Sequence, residues 1–270
     1  MIDKKQVKIH FSKNVETYDS YANVQKLMCE NLMNYIEQRH CDDNLNILEI
    51  GCGTGFLTEM LCRKFPNAKI TALDIAPGMI EYADKKLNKY NINFICNDIE
   101  ECELSDKYDF IISNAAFQWL NNMQMTLKKL YDSLNYNGSI IFSTFGEKTF
   151  QELNDCYKRA SEILELDTAF SSIQKFYTIN ELYELCTNII GIDKSAVTLD
   201  EEMKYEYFDN CLNFIYSIKR VGANGCIKQN RSKPKLIKKV IDIYDKDYRV
   251  NNEIVATYHC LFCSIRKYNI

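Results

Sequence analysis

Asn46-Ile47-Leu48-Glu49-Ile50-Gly51-Cys52-Gly53-Thr54-Gly55-Phe56-Leu57 is the stretch that decides the fold of this chain. Its first five residues read as a short buried strand. Three alternate glycines follow, and Phe56, Leu57, Met60 and Leu61 then recur at helical spacing. A glycine-rich turn between strand and helix lets backbone approach a ligand closely, because side chains would block it and some positions need positive φ. The spacing is G-x-G-x-G with Glu49 two residues ahead, whereas dinucleotide sites use G-x-G-x-x-G. The pattern favours S-adenosylmethionine, which has no phosphate for the helix end to hold and whose cationic amino group suits an acidic Glu49.

The alternation continues outward from that turn. Strand Lys69–Asp74, helix Met79–Tyr90, strands Ile92–Cys96 and Tyr108–Ser113, helix Met123–Leu134 and strand Gly138–Thr144 follow in order. Repeated strand-helix order builds a parallel sheet covered on both sides. The expected fold class is α/β: a Rossmann-like class I methyltransferase fold, with a mostly parallel seven-stranded sheet, helices on both faces and helical lid insertions.

Successive strand ends supply the candidate cofactor residues. Gly51, Cys52, Gly53 and Gly55 form the turn, and Glu49 faces the amino group. Asp74 lies 23 residues past Gly51, where an acid bonds ribose hydroxyls in this topology. Asp98 would accept from the adenine amino group while Ile75, Met79 and Ile99 sandwich the ring, and Asn114 and Ala115 would meet the methionine end. Asp98 alone also reads as a turn or helix cap. Its place in a series with Glu49, Asp74 and Asn114 argues for a site.

The 270 residues are read as a single methyltransferase domain, 1–270. A helical segment covers 1–40, with an amphipathic helix from Tyr18 to Gln38. The cofactor-binding core spans 45–145, and insertions at 147–190 and 207–250 are placed over the carboxyl ends of the strands as a lid.

Composition excludes several classes. A net charge of -4 argues against a general electrostatic grip on nucleic acid. No Asn/Asp-Pro-Pro-Tyr motif follows the fourth strand, where Asn114-Ala115-Ala116-Phe117 stands. The charged start Met1–His10 never develops the apolar run of a signal peptide or membrane span, so the chain is read as cytoplasmic, with no membrane or nucleic-acid partner. It is expected to be a monomer. Twelve cysteines are scattered as free thiols, and Cys260 and Cys263, three apart in an extended segment, make a poor metal clip. No metal is expected.

Three further blocks carry a resemblance: Phe11-Ser12-Lys13-Asn14-Val15-Glu16-Thr17-Tyr18-Asp19-Ser20-Tyr21-Ala22-Asn23-Val24-Gln25, Asn114-Ala115-Ala116-Phe117-Gln118-Trp119, and Phe142-Ser143-Thr144-Phe145-Gly146-Glu147-Lys148-Thr149-Phe150-Gln151-Glu152-Leu153. With Ile218-Lys219-Arg220-Val221-Gly222-Ala223-Asn224, they resemble the malonyl-acyl-carrier-protein O-methyltransferases of biotin synthesis, from about Phe11 to Asn224. The resemblance implies methylation of the free carboxylate of a malonyl thioester, on acyl carrier protein or CoA, early in pimeloyl assembly.

That chemistry needs no general base. A malonyl carboxylate is already ionised near neutrality and can attack a sulfonium methyl by in-line displacement, so positioning should do most of the work. Tyr18, Gln118, Lys219 and Arg220 are the candidate positioning groups. A packed aromatic is the plain alternative for Tyr18 and a solvated helix face for the two cations. Trp119 reads as cavity wall. Lys228, Arg231, Lys233, Lys235, Lys238 and Lys239 form a run without an intervening acid that would suit an acidic carrier protein. The alternative acceptor is a free small carboxylic acid or another metabolite. An intact crevice with a lid argues against a module that binds the cofactor without transferring its methyl.

Overall fold

The computed structural model describes residues 1–37, 44–166, 174–190, 196–223 and 234–268. Helices α1 (Lys4–Lys13), α2 (Val15–Tyr21) and α3 (Asn23–Glu37) lead in. The core follows as β1 (Asn46–Ile50), α4 (Phe56–Lys64), β2 (Lys69–Asp74), α5 (Pro77–Lys86), β3 (Ile92–Cys96), β4 (Tyr108–Ser113), α6 (Met123–Asp132) and β5 (Leu134–Phe145). Then come α7 (Gln151–Ile163), α8 (Ile179–Ile190), β6 (Val197–Phe208), α9 (Cys211–Arg220), α10 (Pro234–Asp247), β7 (Arg249–Val250) and β8 (Glu253–Arg266).

The sheet order is β3-β2-β1-β4-β5-β8-β6. β1 to β5 pair in parallel, and β8 runs antiparallel to both β5 and β6. An eighth strand, the two-residue β7, pairs only with β8. The expected seven strands omit it because nothing but the turn Asn251-Asn252 marks it. Both residues have positive φ, at 49° and 72°, as a tight hairpin demands.

The strands read as apolar runs because both faces are covered. Side chains alternate between two cores, with Ile47, Phe110, Ile112 and Ile141 on one face and Leu48, Ile111, Ile140 and Phe142 on the other. The first core packs under α3, α4, α7, α9 and α10, and the second under α6 and α8. The order reverses between β1 and β4, so their carboxyl ends open a crevice at the switch point.

The amino-terminal region departs from expectation. In place of one helix from Tyr18, with its end at Gln38 outside the described residues, three helices occur. Asn14 caps both α1 and α2, and Ala22 separates α2 from α3. Apolar periodicity carries across Ala22 without a Gly or Pro to mark the break, so the sequence reads as continuous.

The roof of the crevice also differs. Over the first cavity the roof comes from α1 and α2, the two insertions reach only the third cavity, and α8 packs against α6 and β6 on the second core. Two glycines dock α1. A Cβ on Gly78 would stand 2.8 Å from the Ser12 carbonyl oxygen, and one on Gly222 would stand 3.1 Å from Phe11 Cα.

Candidate active site

Three adjoining cavities occupy the strand ends. The first, about 660 Å³, is lined by Gly51, Gly53, Asp74, Ile75, Met79, Asp98, Ile99, Asn114 and Ala115, with Lys4, Val7 and Phe11 of α1 across from them. The second lies beside Glu49, Cys52, Gly53, Thr54, Cys29 and Asn114. The third is bounded by Phe11, Tyr21, Gln25, Gln118, Trp119, Phe145, Thr149, Phe150 and the α9 residues Ser217 and Ile218. Tyr18 lines all three.

The glycines divide their tasks. Gly51, Gly53 and Gly55 have φ of 73°, 54° and 78°, the left-handed region that favours glycine. A Cβ on Gly51 would stand 2.4 Å from Ala116 Cβ, whereas one on Gly53 would meet nothing within 4 Å. The space above Gly53 is the floor of the cavity. Gly55 lines none of the three cavities; it caps α4, and a Cβ there would stand 2.7 Å from Leu87. In this structure it serves close helix packing and stands behind the cavity walls.

Burial sets the electrostatics of the acids. Glu49 is 1% exposed and its Oε2 has no hydrogen-bond partner among the described residues. Burial, with a smaller contribution from Asp74, pushes its pKa up to about 7. Asp74 accepts from the backbone N–H groups of Gly53 at 2.9 Å and Ala76 at 2.8 Å, which aims its carboxylate into the cavity; burial still raises its pKa. Asp98 receives Lys4 Nζ at 3.1 Å, and the same ammonium reaches Glu100 at 2.6 Å. α1 is thereby fastened across the far end of the first cavity.

These residues fit S-adenosylmethionine. An ammonium would satisfy the orphaned Glu49 oxygen, and Asp74 retains lone pairs for two ribose hydroxyls. Ile75, Met79 and Ile99 offer apolar walls beside Asp98. At the end of β4, Ala115 has φ 48°, and its N–H donates to the Ser143 carbonyl at 3.1 Å. Asn114 receives Ser143 Oγ on its Oδ1 at 2.7 Å and donates to the Gln25 carbonyl at 3.0 Å.

The four candidate positioning groups separate. Tyr18 stands at the junction; burial raises its pKa, with Cys29, Asp74 and Asp19 adding, so the hydroxyl stays protonated. Gln118 lines the third cavity, but its Nε2 donates to the Ala115 carbonyl at 2.6 Å and its Oε1 accepts from Thr144. Lys219 and Arg220 line none of the cavities. They occupy the outer turn of α9, where Arg220 stacks 4.5 Å from the Tyr216 ring centroid, while Ser217, Ile218 and Val221 face inward. Helical periodicity makes that division: the cavity takes one stripe of α9 and the cations fall on another.

Sequence reasoning missed Lys4, Val7, Phe11, Gln25, Thr149 and Phe150. Phe11, Gln25, Thr149 and Phe150 lie inside the family-like blocks, a signal that was available, whereas nothing in the sequence marks Lys4. Of the proposed docking run, Lys235 and Lys238 are exposed on α10 and Lys239 is half-buried; Lys228, Arg231 and Lys233 lie outside the described residues. Among the described residues no group of three His, Cys, Asp or Glu could hold a metal ion, and no helix is long and apolar enough to cross a membrane.

A methyltransferase-domain family profile matches residues 47–138, the span from β1 to the start of the central run of β5. Over 98% of this chain and 96% of its own, a plantazolicin methyltransferase solved with SAH shares the fold at a TM-score of 0.52 and 18% identity. Fold and crevice together define a class I, S-adenosylmethionine-dependent methyltransferase. The chain is 44% identical to the malonyl-[acyl-carrier protein] O-methyltransferase of Acetivibrio thermocellus, covering 99% of this chain and 95% of that one. It is 41% identical to the protein of the same name from Priestia megaterium, covering 100% of both. It belongs to the malonyl-acyl-carrier-protein O-methyltransferase family.

Proposed function

We propose that the chain transfers a methyl group from S-adenosylmethionine to the free carboxylate of malonyl-acyl carrier protein, giving the malonyl thioester methyl ester early in biotin synthesis. The observation that carries this reading is the meeting of three cavities at Tyr18: two fit the donor, and the third is open to an acceptor. When bound, S-adenosylmethionine supplies a methyl group on a cationic sulfur.

The chain's own residues then have three tasks. Glu49 and Asp74 hold the donor's two polar ends, one by charge and one by paired hydroxyls. Tyr18 keeps its proton and donates toward the acceptor end of the junction. Phe11, Trp119, Phe145, Phe150 and Phe176 exclude water from the third cavity, so the carboxylate is stripped of solvent before it attacks. No proton has to be removed from the acceptor, and among the described residues the third cavity has no histidine or acid in its wall to remove one.

An acidic carrier protein requires a basic rim. Lys235 and Lys238 on α10, with Lys239 beside them, are the described part of the basic run that would suit it in an otherwise acidic chain. A cytoplasmic monomer is consistent with this role. The test is to supply methyl-labelled S-adenosylmethionine with malonyl carrier protein, malonyl-CoA and free malonate in parallel. The label is expected in a base-labile ester of the thioesters. Turnover of the free acid alone would move the assignment to a small-acid methyltransferase.

A further inference from the structure

A carboxylate acceptor ordinarily calls for a cation, yet among the described residues the wall of the third cavity contains no Lys, Arg or His. The absence has a physical rationale. A cation at this point would repel the donor's sulfonium and would hold the acceptor electrons that must form the new bond. Neutral donors can orient the carboxylate without either cost.

Most neutral donors in the wall are already engaged. Thr149 Oγ1 donates to the His259 carbonyl and Ser217 Oγ to the Phe214 carbonyl. Gln118 has both ends of its amide occupied, and Tyr258 lines no part of the cavity beside Glu49. Tyr21 stacks edge-on with Tyr216 toward the outer rim, and Trp119 borders the first cavity rather than the second. Among the described residues only Tyr18 and Gln25 line both the acceptor cavity and the cavity beside Glu49. With the donor's ammonium at Glu49 in the proposed binding mode, its methyl stands where these cavities meet.

Gln25 is in the first turn of α3. Its backbone carbonyl is pinned by Asn114 Nδ2 at 3.0 Å, and Asn114 is pinned in turn by Ser143. Its side-chain amide has no hydrogen bond among the described residues. A fixed backbone with an unspent amide at the junction is a prepared donor.

We infer that Gln25 binds the acceptor carboxylate directly, donating its amide N–H to one oxygen so that the other faces the methyl group. Tyr18 assists from the opposite side of the junction. The carboxylate oxygen forms the new O–C bond as the C–S bond breaks, and the sulfonium charge and the carboxylate charge cancel, so no proton moves. This inference rests on the carboxyl-methylation reading and assigns the residue that performs its positioning step.

The experiment measures kcat/KM for malonyl carrier protein in the wild type, Gln25→Ala and Gln25→Glu, with SAH affinity by calorimetry for each. Loss of one hydrogen bond to a charged group should lower kcat/KM about 10- to 100-fold in Gln25→Ala. Gln25→Glu should lose more, because its carboxylate repels the acceptor. SAH affinity should stay within about threefold of the wild type in Gln25→Ala. The distinguishing readout is pH: the ratio of Gln25→Glu to wild-type activity should rise as pH falls toward 5, where the introduced carboxyl takes up a proton and can donate while the malonyl carboxylate stays ionised. An active wild type with both variants within twofold of it overturns the role of Gln25 alone. So does a parallel loss of SAH binding and turnover in both variants with no pH rescue. A wild type that methylates no malonyl thioester overturns the underlying reading as well.

Discussion

Asp19 on α2 accepts a 2.6 Å hydrogen bond from Thr54 Oγ1 in the glycine-rich turn, tying the amino-terminal cap to the floor of the cofactor site. Lys86 Nζ approaches the other Asp19 oxygen at 3.2 Å and also donates to the Thr54 carbonyl. With Lys4 on Asp98 at the opposite end, the cap is held at two points across the donor cavity. Cutting either tie should release the bound cofactor faster. Asp19→Ala is expected to raise the SAH dissociation rate about tenfold, as loss of a partly exposed charge-assisted bond would, with a smaller change in association rate. Stopped-flow fluorescence from Trp119, the single tryptophan and a wall of the first cavity, reads both rates.

Gly53 and Gly55 should respond differently to the same substitution. Each left-handed residue costs about 1–2 kcal/mol when a Cβ is added. Gly53→Ala has room for its methyl in the ligand-free protein, so it should fold and lose most of its affinity for SAH. Gly55→Ala presses on Leu87 and should lower Tm further while keeping a measurable SAH site. Thermal melts and calorimetry on the pair separate cavity floor from helix packing.

Glu49 gives a pH dependence with a defined sign. Its folded-state pKa, about 7, lies above the ordinary value of 4.5, so the folded protein binds more protons between those limits. The group's contribution to stability is present below the ordinary pKa and is lost as pH rises through 7. At pH 8 the buried charge is expected to cost on the order of 1–3 kcal/mol. Glu49→Gln should therefore raise the Tm of the ligand-free protein at pH 8 and weaken SAH binding. In the wild type, SAH affinity should fall as pH drops from 8 to 6, because a proton must leave for the ammonium to bind; the Gln variant should be weak and flat over that range.

The basic rim predicts a difference between acceptors. Reversing the charge of Lys235, Lys238 and Lys239 together should raise KM for malonyl carrier protein several-fold at low salt and leave KM for a small phosphate-free malonyl thioester within about twofold. Added salt should erase the difference.

Much of this architecture was legible because the sequence repeats its instructions. Ile47-Leu48, Phe110 to Ile112 and Ile140 to Phe142 are apolar without alternation, which a sheet covered on both faces explains, and the acids and Asn114 fall where those strands stop. The amino-terminal cap was not legible. Its helices are short, α1 buries only Val7 through its length, and the break at Ala22 carries no glycine or proline. Lys4 acquires its meaning from Asp98, 94 residues away, a pairing no local pattern contains. The inward stripe of α9 was lost for a related reason: Lys219 and Arg220 attract attention as cations, while the residues that reach the cavity are Ser217, Ile218 and Val221.

The central claim is that one chamber brings a donor methyl to an oxygen that is already anionic. Intact mass analysis of malonyl carrier protein after incubation with enzyme and S-adenosylmethionine tests it most directly. The account predicts a gain of one methyl group per malonyl chain, removed by mild base, with one equivalent of SAH released. An unchanged carrier mass in the presence of an enzyme that binds SAH would contradict it.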